Sequence, residues 1–86
     1  MTYALKVADN VVKDLKRLER KDAETFKQLM RKVERILIDP YHSGHPLRGE
    51  YKGVWETHIR NNLLMYKIHE EAKMVELVAY IDHDLL

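Results

Sequence analysis

Val54-Trp55-Glu56-Thr57-His58-Ile59-Arg60, then Leu63-Leu64-Met65-Tyr66-Lys67-Ile68-His69, then Met74-Val75-Glu76-Leu77-Val78-Ala79-Tyr80-Ile81 follow one another through the last third of the chain, separated only by Asn61-Asn62 and Glu70-Glu71-Ala72-Lys73. Three strand-like segments joined by short polar turns predict an antiparallel meander. In the first segment Trp55, Thr57 and Ile59 form the apolar-facing set, which places Glu56, His58 and Arg60 together on the other face.

Working outward, the preceding stretch Asp39 to Gly53 is rich in turn formers and polar groups and reads as a long loop, a length that in so small a domain often carries function. Before it, Phe26, Leu29, Met30, Val33, Ile36 and Leu37 recur at intervals of three and four, predicting a helix that starts at an Asp22 cap and ends before Pro40. Val11, Val12, Leu15 and Leu18 give a first helix, capped by Asp9 or Asn10 and ending near Arg20. Tyr3 to Val7 alternates as a short strand. The order strand, helical hairpin, three-stranded meander is that of an α+β fold: one sheet with both helices on one face and the opposite face left for function.

With 86 residues and 45% hydrophobic composition, the chain has one core and is expected to be a single domain over residues 1–86. The absence of Cys gives no sign of an oxidising compartment, and Met1 to Val7 lacks the basic start and apolar run of a signal peptide, so a cytoplasmic protein without a membrane segment is expected. Bulk charge does not announce a nucleic-acid binder: 15 Lys and Arg stand against 14 Asp and Glu, a net +1. The cations do cluster, however, with Lys13, Lys16, Arg17, Arg20, Lys21, Lys27, Arg31, Lys32 and Arg35 all in the first half. A salt-laced helical surface and an RNA-binding face both fit that run.

Chemistry, if present, centres on histidine. His42, His45, His58, His69 and His83 all lie outside the helices, and imidazole titrates near neutrality. His69 is expected exposed in a turn, His42 without an evident partner, and His83 in a frayed terminus. The row Glu56, His58, Arg60 suits phosphodiester chemistry, in which a base, an acid and a cation act on one phosphate. It equally suits an ordinary half-buried sheet with polar residues outside. No HExxH or paired Cys/His spacing points to a metal site.

The run His45-Pro46-Leu47-Arg48-Gly49-Glu50-Tyr51-Lys52-Gly53-Val54-Trp55-Glu56-Thr57-His58-Ile59 resembles the His-Pro-Leu, Gly, Lys-Gly, His stretch of YafQ-like toxins of the RelE superfamily. Leu63-Leu64-Met65-Tyr66-Lys67-Ile68 continues it, and Val12-Lys13-Asp14-Leu15-Lys16-Arg17-Leu18 is similar to the family's first helix. The resemblance implies a RelE-like fold and a type II toxin: a ribosome-dependent mRNA endonuclease that needs no metal or other cofactor and is silenced by a cognate antitoxin in a hetero-oligomer. It carries the family's catalytic histidines onto His45, His58 and His83. Arg60, Lys52, Arg48 and Asn62 are the expected phosphate or RNA contacts. Two departures stand out: Asn61-Asn62 replaces the usual Asp after the strand histidine, and the chain closes on Asp82-His83-Asp84-Leu85-Leu86 without the family's Gly-Thr or Gly-Ser or its terminal aromatic residue. The rival readings are a ParE-like, non-enzymatic gyrase-binding toxin, against which the three histidines count, and a catalytically silent antitoxin-binding domain, for which Asn61-Asn62 argues.

Overall fold

The computed structural model describes residues 2–82. Strand β1 (Ala4–Val7) leads into helices α1 (Asp9–Lys21) and α2 (Ala23–Ile38), followed by a two-residue strand β2 (His45–Pro46), a 3₁₀ turn at Gly49–Tyr51, and strands β3 (Val54–Ile59), β4 (Asn62–His69) and β5 (Met74–Ile81). They form one mixed sheet in the order β1-β5-β4-β3-β2. The meander β3-β4-β5 is antiparallel, as the alternation predicts, and β1 joins it by pairing parallel to β5 with Leu5 opposite Val75. Two antiparallel neighbours can be joined by a tight turn, whereas a parallel pair needs a long crossover; here the helices and the first two meander strands supply it.

The apolar stripes of both helices close over one sheet face. Val11 and Leu18 of α1 and Leu29, Val33 and Ile36 of α2 are buried against Ile59, Leu64, Tyr66, Val75, Leu77 and Tyr80. Burying each of the larger side chains stabilises the fold by about 1.5–3 kcal/mol. Asp22 serves both helices: its backbone N–H closes α1 on the Leu18 carbonyl, and its carboxylate accepts from the Thr25 N–H at 3.1 Å and the Thr25 hydroxyl at 2.6 Å. Those bonds hold the Asp22 carboxyl below the usual carboxylate range. The cap expected at Asp9 or Asn10 is not found. Ala8 occupies that position without a side-chain bond, and Asp9 lies in the first turn, where its charge faces the helix dipole.

Two boundaries differ from expectation near the functional end. The Asp39 to Gly53 stretch is not all loop, because His45 and Pro46 pair with Glu56 and Trp55 and add a fifth strand. The β3–β4 turn is Arg60-Asn61, so Arg60 leaves the strand and Asn62 enters it.

A candidate site at the β2–β3 edge

Register decides which side chains meet. His45 stands opposite Glu56 on the neighbouring strand, and opposed residues of an antiparallel pair share a face. His58 lies two residues beyond Glu56 on β3 and therefore points the same way. The two imidazoles are diagonal neighbours, roughly 7–8 Å apart at the backbone, on the face that also carries Glu56. Thr57 and Ile59 point oppositely, into the core at 4% and 5% exposure, while His58 is exposed.

The segment that carries His45 is fastened from beneath. Pro40 stops α2, and the Ser43 hydroxyl donates to the carbonyls of Arg35 and Asp39 at the helix end. The fully buried Tyr66 donates its hydroxyl to the Pro40 carbonyl at 2.8 Å, and burial pushes that phenol up to about 12. Tyr66 stacks on Trp55, which meets Tyr41 edge-on. Gly44 passes so close that a Cβ there would lie 2.6 Å from both the Glu56 carbonyl oxygen and the Tyr66 hydroxyl. Glycine is required at this position by close approach.

At the far end of this segment, Glu70 accepts hydrogen bonds from the hydroxyls of Tyr3 and Tyr41, each at 2.7 Å, and pairs with Lys73. The Lys73 ammonium and then the two phenols hold the Glu70 carboxyl down at about 2. This hub ties the β4–β5 turn to the start of β1 and to the loop after α2.

Two clefts adjoin His58. One, of about 270 Å³, is lined by Lys32, His42, Ser43, Gly44, His45, Thr57 and His58. The other, of about 230 Å³, is lined by Gln28, Arg31, Lys32, Arg35, His58, Ile59 and Arg60. A separate cleft of about 220 Å³ between α1 and the end of β5, around Leu18 and Tyr80, contains none of the candidate residues.

The sequence-predicted residues thus separate into groups. His45, His58 and Arg60 come together at the β3 edge. Arg48 and Lys52 are exposed on the excursion between β2 and β3 and line neither cleft. His83 lies outside the described residues. Asn62 is not an exposed contact: it is buried, and its amide donates to the Tyr80 hydroxyl at 2.5 Å. Strand parity explains this, since Asn62 shares its face with Leu64 and Tyr66. Two other histidines also depart from expectation. His42 Nδ1 sits 3.0 Å from both Asp39 carboxylate oxygens, and His69 Nε2 lies 2.9 Å from Glu76 across the sheet. Missed by the sequence reading were Lys32, Ser43 and Gly44, which the end of α2 and its following loop bring to the histidines.

Arg60 has φ of +56°, in the left-handed region. A non-glycine residue held there costs on the order of 1–3 kcal/mol and persists where its surroundings fix it. Gln28 supplies part of that fixing, its Oε1 accepting from Arg60 Nε at 3.3 Å.

A helical hairpin laid on one face of a five-stranded mixed sheet, with polar side chains gathered at the β3 edge, is the fold of RelE-like toxins. Solved structures share it over nearly the whole chain at low identity. The toxin–antitoxin complex RelBE2 of Mycobacterium tuberculosis superposes with a TM-score of 0.83 at 19% identity, covering 96% of this chain and 100% of its counterpart. The YoeB/ParE toxin of Agrobacterium tumefaciens gives 0.83 at 17% identity over 93% and 98%, and the intact RelBE toxin–antitoxin complex of E. coli gives 0.80 at 21% identity over 93% and 95%. No curated protein sequence matches the chain. The family model described as the bacterial toxin of a type II toxin–antitoxin system, YafQ, matches residues 3–86, and the chain belongs to that family.

Proposed function

We propose that this toxin is a ribosome-dependent mRNA endonuclease whose cutting groups are His45, His58 and His83. The observation that carries the reading is the β2–β3 register, which sets His45 and His58 on one face at diagonal positions beside an open cleft. One imidazole takes the proton from a ribose 2′-hydroxyl as its oxygen attacks the adjacent phosphorus. The bond from phosphorus to the 5′-oxygen breaks, and a protonated imidazole gives its proton to that leaving oxygen. The products are a 2′,3′-cyclic phosphate and a 5′-hydroxyl, and a positioned acid–base pair of this kind contributes about 10²–10⁴-fold. Arg60 offsets the charge that develops on the phosphate, with Arg48 and Lys52 as outlying RNA contacts. Asn62, being buried, has no part in this.

An antitoxin is the expected partner. The family's description and the toxin–antitoxin complexes among the structural neighbours support it. The test is end-group analysis of mRNA recovered from a translating extract. Fragments bearing 5′-hydroxyl ends that appear only with ribosomes present support the reading; uncut mRNA opposes it.

A further inference from the structure

We propose that His42 is a further catalytic residue of the cutting site, the base that takes the ribose 2′-hydroxyl proton, and that Asp39 is the positioning residue that holds its ring; the proposal rests on the reading of the chain as an RNA-cutting toxin. The family resemblance carries catalytic roles onto His45, His58 and His83 and gives none to His42. The fold nonetheless brings His42, His45 and His58 to one cleft of about 270 Å³. Three residues of extended chain span at most about 10–11 Å, so His42 lies within that distance of His45 at the backbone. His45 is in turn the diagonal neighbour of His58.

The His42 ring is held at one nitrogen. Its Nδ1 sits 3.0 Å from each Asp39 carboxylate oxygen. An ionised carboxylate only accepts hydrogen bonds, so Nδ1 is the nitrogen that carries the hydrogen and the neutral ring keeps its lone pair on Nε2. Nε2 takes no part in either bond. A carboxylate on one imidazole nitrogen, with the other turned to the reacting group, is the arrangement that orients a general base.

The turn that presents this pair is anchored on the end of α2. The Asp39 N–H donates to the Arg35 carbonyl at 2.9 Å, and the Asp39 carbonyl accepts from the His42 N–H at 3.3 Å and from the Ser43 hydroxyl at 2.7 Å. Between the two residues, Pro40 has a fixed φ, and its carbonyl accepts from the buried Tyr66 hydroxyl. These bonds fasten the turn without the His42 ring, and an exposed pair such as His42–Asp39 adds little to stability. A histidine beside a carboxylate is not by itself a site: His69 lies 2.9 Å from Glu76, yet neither lines a cleft beside His58. What sets His42 apart is a ring oriented by a carboxylate in the cleft that holds two more imidazoles.

In the proposed step His42 Nε2 takes the 2′-hydroxyl proton as the 2′-oxygen forms its bond to phosphorus. The bond from phosphorus to the 5′-oxygen breaks, and the protonated imidazole of His58 or His45 gives its proton to that oxygen. His42 ends protonated, its charge beside the Asp39 carboxylate, and the acid ends neutral; proton exchange with water restores both.

The test is single-turnover cleavage of a short end-labelled mRNA on 70S ribosomes with the full-length toxin in excess, which separates the cutting rate from the half-saturating concentration. His42→Gln keeps a donor for Asp39 but cannot take a proton. It is expected to lower the cutting rate by about 10²-fold or more, with the half-saturating concentration and the melting curve near those of the wild type. His42→Ala is expected to fall as far, and imidazole added to the buffer to restore part of its rate by supplying the missing base. Asp39→Asn can present an amide donor to Nδ1 and so move the hydrogen to Nε2; it is expected to lower the rate about tenfold or more at unchanged half-saturation. A loss in His42→Ala that His42→Gln reverses overturns the proposal, since the ring then only fastens the turn. A loss confined to the half-saturating concentration overturns it as well. Uncut mRNA with the wild-type toxin overturns the endonuclease reading and this assignment with it, whereas wild-type cutting that a folded His42→Gln protein retains in full overturns this assignment alone.

Discussion

Gly44→Ala is a sharp test of how the His45 segment is held. The added methyl group would stand 2.6 Å from the Glu56 carbonyl oxygen and 2.6 Å from the Tyr66 hydroxyl, about 0.8 Å short of the 3.4 Å at which ordinary contact begins. The Glu56 oxygen belongs to the backbone of β3 and cannot swing away, and the Tyr66 hydroxyl is tied to Pro40. The 40–45 segment must therefore move. Overpacking costs about 1–3 kcal/mol, and stretching the buried Tyr66 to Pro40 hydrogen bond adds about 1–3 kcal/mol if one partner is left unsatisfied. A loss of roughly 2–6 kcal/mol in urea unfolding is expected from these two effects together. A displaced His45 should also lower RNA cleavage by about 10²-fold per folded molecule, the scale expected of a misplacement near 1 Å. Tyr66→Phe removes one of the two atoms at 2.6 Å, leaving the Glu56 oxygen and the ring carbon at 3.1 Å, so the double variant should be less unstable than the sum of the singles. Wild-type stability in Gly44→Ala, or strict additivity with Tyr66→Phe, would refute this account of the segment.

Two further perturbations follow from the same structure. Glu70, held down at about 2 against an ordinary 4.5 by Lys73, Tyr3 and Tyr41, contributes stability that is complete above about pH 4.5 and lost as pH falls toward 2. Glu70→Gln should therefore flatten the acid limb of stability between those values in chemical denaturation, only in part because Glu76 and Asp22 are also lowered. An unchanged acid limb would count against the hub. Asn62→Ala strands the Tyr80 hydroxyl and should cost about 1–3 kcal/mol while leaving RNA affinity unaltered; a selective loss of RNA affinity at full stability would restore Asn62 as a contact.

The meander, the helical hairpin and the Asp22 cap were legible because each rests on a local periodicity or a local bond. Thr57 and Ile59 inward with His58 outward is the alternation itself. The strand was read one residue too far at Arg60 because nothing in an arginine announces a left-handed backbone. The same slip hid Asn62, whose parity with Leu64 and Tyr66 pointed inward although its polarity suggested water. Strand β2 has two residues and one is proline, so it is defined by where Gly44 packs and not by any pattern of its own. The His69 to Glu76 and His45 to Glu56 neighbourhoods depend on cross-strand register, which short-range spacing does not contain. The cations of α2 are interleaved with acids along the chain, and only the folded helix separates the row that lines the cleft beside Arg60.

Whether the β3 edge is a cutting site is tested most directly by mRNA cleavage in a reconstituted translation system, comparing wild type with His58→Ala, His45→Ala and His83→Ala, with and without ribosomes. The proposed mechanism predicts cutting by the wild type that requires ribosomes and falls by about 10²-fold or more in His58→Ala while its melting curve is unchanged. Intact mRNA in every reaction, or full cutting by a folded His58→Ala protein, would contradict it.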